Sequence, residues 1–263
     1  MAQSRDFLQD SSQLIVIADF DGTMTDPAVQ GRPTSSLMAI LMHEKYIGAE
    51  AVAAGQELFN KYRPIELDPN LSAAAKQELM QKWWSDSYLV LKECGLKKDV
   101  LLEVCDSPLL QWRDHLLDFV KLLSAKQIPL IIFSASGFGR LAIEYLLRKA
   151  GVWSEKISIM SNEMLFDQNN IFTEVKLPII TIANKIGQVL IEQGLIEQNP
   201  VRRNCLLIGD NLEDLKMAQG IAFDQVYKVG FSTADLTAHF QKEFDLVLPA
   251  IGGNYQQVID LLD

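Results

Sequence analysis

Disulfide chemistry has almost nothing to work with in this sequence. Its three cysteines, Cys94, Cys105 and Cys205, are odd in number and lack the paired spacing of a bridge framework or a metal knuckle. A reducing compartment is therefore expected. Histidine is equally scarce: His43, His115 and His239 share no ligand spacing, which leaves imidazole catalysis without support and suggests structural or solvated roles. Basic residues are in deficit, 24 against 34 acidic ones, for a formal net charge of -10. Polyanion binding relies on clustered Lys and Arg to displace counterions, so nucleic acid is not an expected partner. A small phosphate ester stays compatible with that charge, because one Lys and one metal ion neutralise it locally. No segment approaches the ~20 apolar residues of a membrane span. Residues 1–12 are polar, with no stretch of signal-peptide length, so a cytoplasmic protein without membrane contact is expected. Internal repeats and low-complexity tracts are missing too, which removes solenoids and long disordered arms.

What is present is material for a large core: 263 residues, 48% of them hydrophobic. Short runs rich in Ile, Val and Leu read as buried parallel strands at residues 14–18, 129–133, 157–160, 205–208 and 246–248. Helical patterns separate most of them. Residues 140–150 carry apolar spacing and close at Gly151, and residues 212–219 close at Gly220. Strand, polar turn, helix, strand is the order of an α/β fold with a doubly wound, mostly parallel, Rossmann-like sheet. Residues 34–46, 50–62 and 72–94 break that order with helices alone. The expected organisation is an α/β core of residues 1–29 and 109–263, with a helical cap of residues 30–108 inserted after the first strand. Such a cap either closes over a bound substrate as a lid or packs permanently on the sheet.

Asp19-Phe20-Asp21-Gly22-Thr23 sets two carboxylates two residues apart, just past the apolar run Leu14-Ile15-Val16-Ile17-Ala18. A strand ending there presents both acids at its carboxyl edge, an arrangement suited to phosphoryl transfer: one acid to attack phosphorus, the other to move a proton. Taken alone, the same residues also suit a solvated acidic turn. Ser134 follows the run ending at Phe133, in Ser134-Ala135-Ser136-Gly137, where a simple N-cap is the plainer reading. Gly209-Asp210-Asn211 follows another strand, with Asp214 four residues beyond Asp210.

The ordered set Asp19, Asp21, Ser134, Lys185, Asp210 and Asp214 resembles the haloacid-dehalogenase-like phosphohydrolases, and the four-part match spans most of the chain. The resemblance implies Mg²⁺-dependent hydrolysis of a phosphate monoester through an aspartyl-phosphate. Asp19 would be the nucleophile and Asp21 the proton donor and acceptor, worth ~10²–10⁴-fold in rate. Asp19, the Asp21 backbone carbonyl and Asp210 would bind Mg²⁺, a hard cation that prefers oxygen. Lys185, in preference to Lys176, would be the phosphate-binding cation, and Ser134 and Ala135 would contact the phosphoryl oxygens. Asp214 would support the metal's water shell or orient Lys185.

A narrower resemblance, to the cytosolic pyrimidine 5′-nucleotidases, rests on three stretches: residues 128–135, residues 161–167 and Ala183-Asn184-Lys185. The segment 65–84, with Asp68-Pro69 and a Trp-bearing helix, is similar too. It implies a nucleoside 5′-monophosphate as substrate, perhaps a pyrimidine one. The chain departs from that pattern at Gly22, where the family usually has Met, at Ser136, where it usually has Gly, and at Lys82, where a Glu near the base is expected. Lys82 bears on which base edge is read. Trp83 and Trp84 are adjacent on one helix, so at most one should face the site opening. The alternatives are a phosphatase for another small metabolite such as phosphoserine or a sugar phosphate, a phosphotransferase using the same intermediate, and a non-catalytic nucleotide-binding protein. A monomer or weak homo-oligomer is expected.

Overall fold

The computed structural model describes residues 5–29, 32–33, 36–43, 46–68 and 70–263. After a 3-10 turn at Asp6–Leu8, the strand β1 (Leu14–Ala18) is buried along its whole length. A small antiparallel hairpin follows, β2 (Ala28–Val29) with β3 (Arg32–Pro33), and then four helices: α1 (Leu37–His43), α2 (Ala49–Leu67), α3 (Ala73–Glu93) and α4 (Lys98–Cys105). From α5 (Leu116–Ala125) onward, strands and helices alternate: β4 (Leu130–Phe133), α6 (Gly139–Lys149), β5 (Ile157–Met160), the hairpin β6 (Met164–Phe166) with β7 (Phe172–Val175), then α7 (Gly187–Glu192). The chain continues with β8 (Asn204–Gly209), a 3-10 segment at Leu212–Ala218, β9 (Gln225–Ser232), α8 (Thr237–Glu243), β10 (Leu246–Pro249) and α9 (Gln256–Ile259).

Six strands form one sheet in the order β10-β9-β8-β1-β4-β5, and every pairing in it is parallel. Successive side chains of a strand point to opposite faces, so the continuous apolar runs fill two cores. Leu14, Val16 and Ala18 pack with Ile132, Leu206 and Ile208 on one face, while Ile15 and Ile17 pack with Ile131, Phe133, Cys205 and Leu207 on the other. The α/β, doubly wound, mostly parallel architecture is as expected. The chain passes from β1 to β4 on one side and later returns to β8 on the other, which opens a crevice at the carboxyl end of β1.

Several elements differ from the sequence reading. β9 joins the sheet between β8 and β10, yet Gln225-Val226-Tyr227-Lys228-Val229-Gly230 shows no uninterrupted apolar run. Its burial comes from its neighbours, not from its own pattern. α2 continues past Pro64, which sits near the end of the helix and exposed, so the lost backbone bond falls where water can satisfy the orphan carbonyl. The segment after Asp210 is a 3-10 helix: Asn211 caps Glu213 at 3.0 Å, and the Asp214 carboxylate accepts the N–H groups of Asp210 and Asn211 at 3.0 and 2.9 Å. The anticipated helix start at Thr34, the boundary at residue 30 and Pro69 lie outside the described residues.

α3 divides its allegiance. Ser72 caps it, and its first half pairs with α2 through Trp83, stacked on Tyr62 at 5.9 Å and edge-on to Phe59 at 6.1 Å. Its second half sinks into the main core through Tyr88 and Leu91, with Tyr88 against Phe172 of β7 at 5.9 Å. Among the described residues, no helix is long and apolar enough to cross a membrane.

Candidate active site

Three adjacent strands end together. Ala18 registers with Ile132 of β4 and Ile208 of β8, so Asp19, Ser134 and Asp210 leave the sheet at one edge. The Asp19 N–H still donates to Ile208 O at 3.0 Å, which carries the parallel ladder one residue past β1 and fixes the base of that carboxylate. Beyond it the chain turns through Gly22 at φ 78°, a conformation that favours glycine. A Cβ at Gly22 would also run into the Asp210 carboxylate. Gly22 therefore carries two demands at once, a left-handed backbone and a close approach.

Lys185 lies buried between two acids, its Nζ bonded to Asp19 Oδ1 and, at 2.7 Å, to Asp214 Oδ1. The other Asp214 oxygen takes the two backbone N–H groups already described. Carboxylate oxygens of Asp19, Asp210 and Asp214 come within 4.8 Å of one another. Because both Asp214 oxygens already accept N–H donors, that residue is better built to orient Lys185 than to ligate a cation. Asp19 and Asp210, with the turn at Asp21 beside them, leave an oxygen-only donor set that suits a hard divalent ion.

The electrostatics express the crowding. Burial, then the neighbouring Asp214 charge, push the Asp19 carboxyl up to about 6 in spite of Lys185. Burial and the Asp19 charge push Asp21 up to about 7, although the Ser136 hydroxyl and the Leu37 backbone N–H, at the start of α1, favour its ionised form. Asp21 Oδ1 and Ser136 Oγ are nonetheless both buried without a partner in good hydrogen-bond geometry. Asp210 is raised well above the ordinary carboxylate range, by burial first and by Asp19 and Asp214 next. Burial alone would lower Lys185, but its two carboxylate partners outweigh that and hold it protonated. This pocket carries more negative charge than it can hold by itself, which is the condition a bound cation relieves.

The second wall is the loop after β4. Ser134 is buried, its N–H donates to Met160 O at 2.9 Å, and its Oγ accepts the Ser136 N–H at 3.0 Å. Ala135 is half-buried beside it. Asn162 holds this loop in place: its Nδ2 donates to Ser136 O at 3.2 Å and Ile180 O at 3.0 Å, and its Oδ1 accepts the Ile180 N–H at 2.8 Å. One buried carboxamide thus ties the Ser134 loop to the segment that leads to Lys185. From α3, Tyr88 Oη donates to Gly137 O at 3.0 Å, and a Cβ at Gly137 would press on the Trp84 ring at 2.6 Å. Of the two tryptophans, Trp84 is the one turned toward the site loops. Lys82 points away, paired with Asp86 at 3.1 Å on its exposed helix face.

The structure thus gathers Asp19, Asp21, Ser134, Lys185, Asp210 and Asp214 around one crevice. Asn162 falls within one of the stretches that carry the family resemblance, whereas nothing in the sequence singles out Arg113 or Tyr255 for the site. No short motif marks these three, because each works through backbone carbonyls of distant segments.

Comparison with known proteins identifies relatives of this chain. The model of the pyrimidine 5′-nucleotidase family (UMPH-1) matches residues 22–252. A 7-methylguanosine phosphate-specific 5′-nucleotidase B of Xenopus laevis is 35% identical over 240 residues, covering 90% of this chain and 82% of that protein. The human 7-methylguanosine phosphate-specific 5′-nucleotidase is 30% identical over 240 residues, at 90% and 79% coverage. Among solved structures, cytosolic 5′-nucleotidase IIIB bound to cytidine shares the fold at a TM-score of 0.81, with 23% identity and coverage of 98% and 87%. A probable phosphoserine phosphatase from Vibrio cholerae shares it at 0.61, with 15% identity and coverage of 97% and 66%. The chain therefore belongs to the UMPH-1 pyrimidine 5′-nucleotidase family and is a phosphoric monoester hydrolase, with the fold of those solved structures.

Proposed function

We propose that this protein is a cytoplasmic, Mg²⁺-dependent 5′-nucleotidase that hydrolyses a nucleoside 5′-monophosphate through an aspartyl-phosphate on Asp19. The observation that carries the reading is the buried Lys185 bridging Asp19 and Asp214 beside Asp210, an acid cluster at one strand edge whose charge calls for a cation. Asp19, Asp210 and the Asp21 carbonyl would hold Mg²⁺, which when bound screens the phosphate's negative charge from the attacking carboxylate.

Lys185 keeps Asp19 Oδ1 occupied and leaves the second oxygen to attack phosphorus. As the new O–P bond forms, the bond from phosphorus to the nucleoside 5′-oxygen breaks. Asp21, pushed up to about 7 by burial, is half-protonated near neutral pH and delivers its proton to that leaving oxygen. The nucleoside departs, and the Asp21 carboxylate then takes a proton from the water that attacks the phosphoaspartate. Inorganic phosphate leaves and Asp19 is restored. Ser134, whose Oγ already accepts from Ser136, has its own hydrogen left for a phosphoryl oxygen, and Ala135 lines the same cradle. Residues 30–108 serve as the cap on a core of residues 1–29 and 109–263, and Trp84 offers an aromatic face beside the phosphate loop.

Asp19→Asn tests the nucleophile. Turnover should fall by at least ~10³-fold while nucleotide binding and melting temperature stay near wild type; wild-type rates in this variant would sink the assignment. The base is the open part of the substrate. The family model, named for a pyrimidine 5′-nucleotidase, supports a pyrimidine nucleotide such as CMP or UMP, and the relatives named for 7-methylguanosine phosphate support that nucleotide. A panel of CMP, UMP, 7-methylguanosine monophosphate, phosphoserine and a sugar phosphate decides. A preference for either of the last two would reject the nucleotidase reading for this chain.

A further inference from the structure

Among the described residues, Arg113 is the largest fully buried side chain that the proposed chemistry does not use. Its guanidinium makes four hydrogen bonds, all to backbone carbonyls: Nη2 to Gly22 O, Nε to Thr23 O at 2.9 Å, and Nη1 to Ala250 O at 2.7 Å and Gly253 O at 3.1 Å. The Phe231 ring lies 3.9 Å beneath it. Two of these carbonyls belong to the turn just after Asp21. The other two belong to the loop after β10, an edge strand three places from β1 in the sheet. Tyr255 completes the arrangement, donating its Oη to the same Thr23 O at 3.3 Å.

Burying a guanidinium is costly unless its donors are satisfied, and here a rigid fork satisfies them on two segments at once. Its consequence is geometric. The Gly22 peptide plane decides how near the turn comes to Asp210, since even a Cβ there would collide with that carboxylate. The Asp21 carbonyl lies one peptide unit before the Gly22 carbonyl that Arg113 holds, so fixing that turn also restricts Asp21. Arg113 also brings a permanent positive charge near the acid cluster.

We propose that Arg113, seconded by Tyr255, is a positioning residue for the active site: a buried brace from the loop after β10 that fixes the Asp21–Thr23 turn against Asp210 and so sets both cation affinity and the proton-transfer geometry. The inference rests on the hydrolase reading above.

Arg113→Lys keeps the charge but replaces the fork with a single ammonium, and Tyr255→Phe removes one donor while keeping the ring. Each is compared with wild type in two measurements: steady-state kinetics on the preferred nucleotide of the panel, and calorimetric titration of Mg²⁺ into substrate-free enzyme. For Arg113→Lys, kcat and Mg²⁺ affinity should each fall about 10- to 100-fold, with KM for the nucleotide within about twofold; Tyr255→Phe should move both in the same direction by less. A lower melting temperature with wild-type kcat and Mg²⁺ affinity would mean a merely structural brace and would overturn the inference. If Arg113→Lys does not fold, Tyr255→Phe decides alone, and wild-type values there overturn it. If wild type itself releases no phosphate from any ester, the hydrolase reading fails instead, and the Mg²⁺ titrations still judge the brace.

Discussion

Gly22 shows how much one residue can carry. Its neighbours Asp21 and Thr23 belong to the turn that Arg113 grips, its φ of 78° is strained for any L side chain, and the space above its Cα is filled by Asp210. Gly22→Ala should destabilise the fold by about 1 kcal/mol through the backbone alone, and it should also displace Asp210. Urea denaturation and Mg²⁺ titration of the same sample separate the two effects. Unchanged Mg²⁺ affinity would show that the turn tolerates a methyl group next to the acid. In the sequence Gly22 stood out only as a departure from a pattern. The reason for glycine became visible once residue 210 was seen to face it.

Among the elements, α3 has the most to say about motion. Its first half leans on α2 through a small aromatic cluster, whereas Tyr88 and Leu91 further along are sealed in the main core and Tyr88 holds Gly137. A helix anchored at one end can lend only its free end to a lid. Local opening draws on the weakly packed half, so amide hydrogen exchange should be faster in α2 and the start of α3 than in β1 and β8. Trp83→Ala, which empties the α2–α3 aromatic cluster, should widen that difference and leave the protection of β1 unchanged. Equal loss of protection throughout would instead mean a single cooperative unit with no separable lid.

At the scale of the molecule, the acid cluster sets how stability depends on pH and cation. Asp19 and Asp21 release their protons at about 6 and 7 when folded, against 3.8 as ordinary aspartates. Below 3.8 both states are protonated and these groups cost nothing. As pH climbs toward 7 the unfolded chain ionises first, so these two acids withdraw stability across that window. Mg²⁺, the proposed cation, would bind the ionised cluster and should therefore raise the melting temperature more at pH 7.5 than at pH 5. Scanning calorimetry at both pH values, with and without Mg²⁺, checks this. The same increment at both would contradict the idea that these acids form the cation site.

Local chemistry made the frame legible. Leu14-Ile15-Val16-Ile17-Ala18 is apolar at every position because both of its faces are buried, and that alone announces a central parallel strand. Asp19, Asp21, Ser134 and Asp210 were legible because a ligand site in such a sheet must lie where strands end. β9 was not, since Lys228 and Gly230 interrupt its apolar pattern and its place in the sheet is set by β8 and β10 on either side. Asn162, Arg113 and Tyr255 were not legible for a related reason. Each spends its polar atoms on carbonyls or amides tens of residues away, and a backbone group looks the same at every position of a sequence. The sequence by itself determined which acids and which lysine are available and that Asp19 and Asp210 follow strands. Only the tertiary structure decided which of them touch, because hydrogen bonds between distant segments exist only after the chain has closed around them.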